Sequence, residues 1–365
     1  MNAPQRTRVL IVDDSAVVRR VLAMGIDREP DLHVVGFASN GEQALDLMER
    51  LNPDVITLDL EMPNMDGLTF MRSFMKTRPI PTIVISSATN GNRNVALQCV
   101  EAGAVDIISK PTLGTNAGLA SMMVDICARI REAAGAKTRP SATRAAAAVV
   151  AATAKPPIQV PVGKAGSWLY AIGSSTGGIQ ALSSILPLFP ASSPAVVIVQ
   201  HMPEGFTASF AARLNTICPM DVKEAKDGDI VQQGRILVAP GGTRHMEIMR
   251  YAGGYRVKLV EGDPVCFSRP SVDVLFKSVA REAGRRVSAA ILTGMGRDGA
   301  EGMLEIRKAG GATFAQNQQT CVVYGMPQAA HQVGATDTLL PLEDIPAKMT
   351  EAMGANPDRS RTHQF

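Results

Sequence analysis

Eight side chains in this sequence have types and spacing that could do chemistry, and they fall into two groups. Asp13 and Asp14, Asp59, Ser86 and Lys110 each follow a short apolar run in the first third of the chain. Three carboxylates gathered in one crevice repel one another and call for a cation. All-oxygen ligation with few protein ligands suits Mg²⁺, which also clamps phosphoryl oxygens. A lysine and a hydroxyl beside them complete a phosphoryl-binding pocket, with Asp59 placed to attack phosphorus and form an acyl phosphate. Taken singly, Asp14 reads as a cap for a helix starting near Ser15, and Lys110 as a surface charge. Five such residues at four run ends favour the site.

The second group contains a serine. Gly173-Ser174-Ser175-Thr176-Gly177 matches GxSxG between a strand-like and a helix-like run, a turn that can expose a serine hydroxyl. On its own the pattern is as readily a phosphate-binding or merely packed turn. His201 follows AVVIVQ, and Asp298 lies in TGMGRDG after another apolar run. A base within reach of the hydroxyl, oriented by a buried carboxylate, is triad logic. The glycines around Met295 let backbone N–H groups turn towards an oxyanion. A competing order, Ser175, Asp298 and His331, matches the α/β-hydrolases, but His331 sits in a helix-like segment and reads as structural. His245 could border the cleft, while His33 and His363 read as surface residues.

These residues need elements to hold them. RVLIVD, LHVVGFA, DVITLD, TIVIS and AVDIIS alternate with helix-periodic stretches. Five β-then-α units with continuous apolar strands predict a doubly wound parallel sheet, whose ligands bind at the carboxyl ends of the strands. Beyond residue 166, WLYAIG, AVVIVQ, RILVAP, VSAAILTG and ATFAQ read as strands between four helix-like segments. MEIMRYAGGYRVKLV reads as a hairpin joined across Gly253–Gly254. The expected fold class is α/β: a doubly wound, flavodoxin-like N-terminal domain, then a mostly parallel α/β hydrolase domain.

Composition sets the outer limits. The 365 residues are 45% hydrophobic and 19% charged, enough for real cores and unlike a disordered chain. Residues 133–166 contain twelve Ala and four Pro, five basic residues and no acid, and read as a linker. Against a whole-chain charge of +3, the remainder is slightly acidic, which with 4% aromatics disfavours nucleic acid. No run reaches the roughly 20 apolar residues that span a bilayer, and no secretory signal is evident, so a cytoplasmic location is expected. Five scattered cysteines without a CxxC pair fit reduced thiols. The domains are therefore drawn at 1–132, the linker at 133–166, the catalytic domain at 167–355 and a flexible tail at 356–365.

VDD (12–14), LDLEMPNMDG (58–67), ISS (85–87) and SKP (109–111) resemble the receiver domain of bacterial response regulators. The resemblance implies Asp59 as phosphoacceptor, Asp13, Asp14 and Asp59 around Mg²⁺, Ser86 and Lys110 sensing the phosphoryl group, and a cis Lys110–Pro111 bond. AIGSSTGG (171–178), QHMP (200–203), APGG (239–242), RPSVDVLF (269–276), ILTGMGRDG (291–299) and AQN…CVVYGMP (315–327) resemble the chemotaxis protein-glutamate methylesterase family, CheB. That resemblance implies Ser175, His201 and Asp298 as the triad, the Met295 backbone N–H in the oxyanion hole, and no cofactor at the esterase site. Ser174 stands where Ala is commoner and offers a decoy hydroxyl; Arg297 stands where Asn is commoner.

The expected function is receiver-controlled demethylation of glutamyl methyl esters on chemoreceptors, with deamidation of specific glutamines. Its partners would be those receptors and a chemotaxis sensor histidine kinase as phosphodonor. In this expectation the unphosphorylated receiver obstructs the cleft and phosphorylation relieves it. An esterase of another substrate and a non-enzymatic phospho-dependent binding module are the alternatives.

Overall fold

The computed structural model describes residues 6–87, 90–110, 116–136, 158–161, 163 and 165–354. The chain divides into two compact units, Met1–Ala147 and Ala148–Phe365. Most of the segment read as a linker, the 356–365 tail with His363, and Pro111 of the expected cis bond lie outside the described residues. The boundary expected after residue 132 falls inside a helix, which runs to Gly135. At the other end, Ala165–Ser167 forms a single 3₁₀ turn with Ala165 buried.

In the first unit, strands β1 (Thr7–Val12), β2 (Leu32–Ala38), β3 (Val55–Leu58), β4 (Thr82–Ser86) and β5 (Asp106–Ser109) make a parallel sheet in the order β2-β1-β3-β4-β5. Strands β3 and β4 are buried at every position, as a sheet covered on both faces requires. Side chains at the helix starts fix where each crossover begins. Ser15, Asn40 and Asp66 accept hydrogen bonds from Val18, Gln43 and Thr69 N–H respectively. The strand order reverses at β1/β3, and such switch points open the crevice in which ligands bind. Asp13–Asp14 leave β1 there, and Asp59 leaves β3.

The second unit is built on β6 (Leu169–Ser174), β7 (Ala195–Gln200), β8 (Asp221–Glu224), β9 (Ile230–Val231), β10 (Arg235–Val238), β11 (Arg244–Tyr251), β12 (Gly254–Glu261), β13 (Val287–Ile291), β14 (Ala312–Gln316) and β15 (Thr338–Leu340). Seven of these form one parallel sheet in the order β15-β14-β13-β6-β7-β10-β8. Here the order reverses at β6, flanked by β7 and β13. Ser175, His201 and Asp298 follow those three adjacent strands. The expected hairpin is present as β11–β12, with β9 added as a third antiparallel strand. Its turn is one residue earlier than expected: Tyr251 pairs with Gly254, and Ala252 and Gly253 occupy the two positive-φ positions.

One helix ties the small sheet to the large one. Val272–Ala283 buries Val272, Leu275, Phe276, Val279 and Ala283, a stripe at helical spacing. They join the core formed by Leu169, Ala171, Val197, Ala289 and Ile291. The same helix covers the outer edge of β11, because Ser278 Oγ and Glu282 accept from the Ile248 and Arg250 N–H groups. An edge so satisfied cannot recruit another strand. Phe276→Ala is expected to destabilise the second unit by about 3–5 kcal/mol, read as a lowered urea midpoint for its transition in the full chain.

Candidate functional sites

In the first unit the structure brings the five expected residues together. Asp13, Asp14 and Asp59 each present a carboxylate oxygen within 4.8 Å of the others. Lys110 Nζ lies 2.7 Å from Asp59 Oδ2 and 3.2 Å from Asp13 Oδ2, so it is no idle surface charge. The helix cap beside them is Ser15, not Asp14, and Asp13 Oδ1 accepts from Ser15 N–H at 2.8 Å. Asp14 remains exposed, free to face a ligand. Ser86 is buried at the end of β4 and accepts through its carbonyl from Lys110 N–H at 2.9 Å.

Electrostatics say what this pocket lacks. Burial pushes the Asp59 carboxyl above its ordinary range and the Asp13 charge adds to the rise, with the Lys110 bond only partly offsetting them. Burial works against the Lys110 charge too, but its bond to Asp59 and the two carboxylates outweigh it and raise its pKa. One ammonium against three clustered carboxylates leaves net negative charge. The donor set is entirely oxygen, the chemistry of a hard cation such as Mg²⁺, and the residues fit that ion. A raised carboxylate pKa in the folded state opposes folding increasingly as pH climbs through the carboxylate range. In metal-free buffer at neutral pH, Asp59→Asn is therefore expected to raise the receiver's calorimetric transition in the full chain, the gap closing as pH falls through that range. Mg²⁺ at a hundred times its Kd should stabilise the wild type by about 2.7 kcal/mol.

The second site is centred on Asp298, which is buried and accepts four hydrogen bonds. Oδ2 faces His201 Nε2 at 2.8 Å and the Val272 N–H at 2.7 Å. Oδ1 accepts from Ser271 Oγ at 2.7 Å and the Asp273 N–H at 3.0 Å. Ser271 is the N-cap of helix Val272–Ala283, so the carboxylate sits on a helix N-terminus, where unpaired N–H groups and the macrodipole favour an anion. Burial works to raise the Asp298 pKa, but the bond and charge of His201, with the Asp273 and Ser271 donors, hold it below the ordinary range. An ionised carboxylate only accepts. A neutral His201 must therefore carry its proton on Nε2, which leaves Nδ1 with the lone pair.

Around the candidate nucleophile the loops continue the sheet's hydrogen bonding. Ser175 N–H donates to Thr293 C=O, and His201 N–H donates to Ser174 C=O, each at 3.0 Å. Positive φ in the GxSxG turn falls on Gly177, at 79°, not on Ser175. Ser175 is 4% exposed, and its Oγ makes no hydrogen bond among the described residues. His201 Nδ1 instead meets Ser268 Oγ at 3.3 Å, a long contact of a kind common before substrate tightens a site. Gly294 C=O accepts from the Gly325 and Met326 N–H groups. Since the peptide is planar and trans, the Met295 N–H points the other way, and it has no partner among the described residues.

Several participants were not evident in the sequence. Gln200 Oε1 accepts from Ser174 Oγ at 2.7 Å, and its Nε2 donates to the Ser175 and His201 carbonyls. The Ser174 hydroxyl is thus absorbed and is no decoy. Ser271 and Ser268 also enter here. His331 is exposed and bonded to Thr336 Oγ1, away from this cluster. Arg297 is exposed and paired with Glu301 at 3.0 Å. His245 is buried behind Ser271 rather than bordering a cleft.

The folds and pockets define a chain in which a flavodoxin-like unit carries a carboxylate pocket and an α/β unit carries a Ser/His/Asp cluster. The response regulator receiver domain model matches residues 9–117, and the CheB methylesterase model matches residues 170–349. The chain is 56% identical to protein-glutamate methylesterase/protein-glutamine glutaminase 2 of Cereibacter sphaeroides, over 96% of this chain and 93% of that protein. It is 46% identical to protein-glutamate methylesterase/protein-glutamine glutaminase 1 of Caulobacter vibrioides, over 93% and 96%. The Thermotoga maritima CheB methylesterase catalytic domain structure is 39% identical with a TM-score of 0.49, covering 50% of this chain and 97% of that one. The chain belongs to the CheB family of protein-glutamate methylesterase/protein-glutamine glutaminases.

Gly294 tests this geometry. A Cβ there would lie 2.7 Å from Ser175 Cβ and 3.0 Å from Ser175 N, and would also strike Met326 Sδ. Gly294→Ala is expected to slow labelling of Ser175 by a fluorophosphonate at least tenfold while circular dichroism is unchanged.

Proposed function

We propose that this chain is a phosphorylation-controlled hydrolase that removes methyl groups from glutamyl esters of chemoreceptors and deamidates receptor glutamines. The single observation that carries the reading is the seat of Asp298 on a helix N-terminus, which fixes the tautomer of His201. Family membership and the names of the relatives above support the substrate class.

In this mechanism Ser175 Oγ attacks the ester carbonyl carbon while His201 Nδ1 takes its proton. The resulting imidazolium is stabilised by the ionised Asp298 on Nε2. Negative charge on the former carbonyl oxygen is received by the Met295 N–H. The tetrahedral intermediate expels methoxide, which takes the Nδ1 proton and leaves as methanol. Water, deprotonated by the same Nδ1, then attacks the acyl carbon; Ser175 recovers its proton and glutamate is released. A glutamine follows the same path with ammonia as the leaving group. Ser175, His201, Asp298 and the Met295 N–H supply every group these steps require, so the reading assigns this site no cofactor.

In the receiver, Asp59 is the proposed phosphoacceptor, with a chemotaxis sensor histidine kinase as donor. Asp13, Asp14 and Asp59 would hold Mg²⁺, which when bound neutralises phosphoryl oxygens during transfer. In this reading Lys110, beside Asp59, and Ser86, at the end of the neighbouring strand, engage the phosphoryl group and so report its presence. Among the described residues no helix is long and apolar enough to cross a membrane. We place the protein in the cytoplasm, where donor and receptor tails would meet it.

Methanol release from a methylated chemoreceptor tests the reading. Ser175→Ala should abolish release, and Asp298→Asn should lower kcat by about 10⁴-fold. Acetyl phosphate with Mg²⁺ should stimulate the wild type but not Asp59→Asn. Wild type that phosphorylates yet releases no methanol would overturn the assignment.

A further inference from the structure

We propose that His245 is a positioning residue for the Asp298 carboxylate, acting through Ser271; the proposal rests on the triad reading above. His245 is the second residue of strand β11 and is 3% exposed. Both ring nitrogens are engaged: Nδ1 lies 3.1 Å from Ser271 N, and Nε2 lies 3.0 Å from Asp263 O. A backbone N–H only donates and a carbonyl only accepts. The ring is therefore held as the Nε2–H tautomer, with Nδ1 accepting from Ser271.

The bond closes a complete set. A helix leaves four N–H groups without intrahelical partners at its start. At this helix Ser271 N–H goes to His245 Nδ1, Val272 and Asp273 N–H go to Asp298, and Val274 N–H goes to Ser271 Oγ at 3.4 Å. Three of the four donors to Asp298 come from residues 271–273. The position of the Ser271 backbone thus decides where the carboxylate rests, and through it where His201 points. His245 is the side chain that fixes that backbone, carried in by the antiparallel sheet. This gives the inserted hairpin a role in the chemistry although it contributes no residue to the Ser/His/Asp cluster.

A simpler role competes with this one. In it His245 only ties β11 to the 262–263 segment, where a Cβ on Gly262 would already approach its Cδ2 to 3.2 Å. The two roles depend on different ring nitrogens, and two amide substitutions separate them. His245→Asn keeps an acceptor where Nδ1 sits and loses the reach to Asp263. His245→Gln keeps a donor where Nε2 sits and loses the acceptor for Ser271.

The experiment measures kcat and KM for methanol release by the full-length, phosphorylated chain. It also follows the downfield proton resonance of His201 Nε2–H in the same proteins without substrate. The proposal expects His245→Asn to keep at least a third of wild-type kcat and the resonance in place. His245→Gln should lose roughly 10- to 100-fold in kcat, by analogy with the loss of a partner that orients a metal-ligating histidine, with KM within twofold and the resonance shifted or broadened. Wild-type kcat and resonance in the Gln variant, or loss in Asn alone, would overturn it. If the wild type releases no methanol, the triad reading fails, while the resonance still reports whether His245 governs the His201–Asp298 bond.

Discussion

The second unit turns on one interaction, the buried Asp298 carboxylate held against the start of helix Val272–Ala283. Burial alone would favour the neutral acid. Two backbone N–H groups, the Ser271 hydroxyl and His201 reverse that preference. Once the carboxylate is ionised a neutral histidine has no choice of tautomer, and its other nitrogen is left as a base for a neighbouring hydroxyl. The core stripe of the helix, its N-cap and the hairpin packed on its side can all be understood as what keeps that N-terminus in place.

The same topological device serves different chemistry in each unit. A parallel sheet whose strand order reverses must open at the reversal, and both units place their polar residues there. In the receiver the crevice collects carboxylates with one lysine, so its electrostatics remain unfinished until a cation and a phosphoryl group arrive. In the hydrolase unit the buried carboxylate is already satisfied internally, with four donors on Asp298. One site is poised to bind charge; the other is arranged to move a proton.

Much of this was legible in the sequence because strand ends carry it. The apolar runs located β1 to β7, β10, β13 and β14, and the candidate residues Asp13, Asp59, His201 and Ser175 stand just beyond the ends of their strands. Strands β8, β9 and β15 gave little signal, being two to four residues long, with β8 and β15 at the edges of their sheet, where no continuous apolar run is needed. The supporting residues were hidden for a different reason. Ser271 could be read as a helix cap, but nothing local says that its hydroxyl reaches Asp298, 27 positions away. Gln200 and His245 act through partners brought close only by the fold. Ser174 was misjudged because a single-residue reading, a decoy hydroxyl, ignores the competitor Gln200; the cap reading weighed for Asp14 likewise ignores Ser15.

The most direct test of the central claim is the protonation pattern of the His201 ring, read from its ¹⁵N chemical shifts in the full-length protein at neutral pH. The helix-seated, ionised Asp298 predicts a proton on Nε2 and a bare Nδ1, with that pattern lost in Asp298→Asn. A ring protonated on Nδ1 with a bare Nε2 would contradict the account, because the bare nitrogen would then face the Asp298 carboxylate.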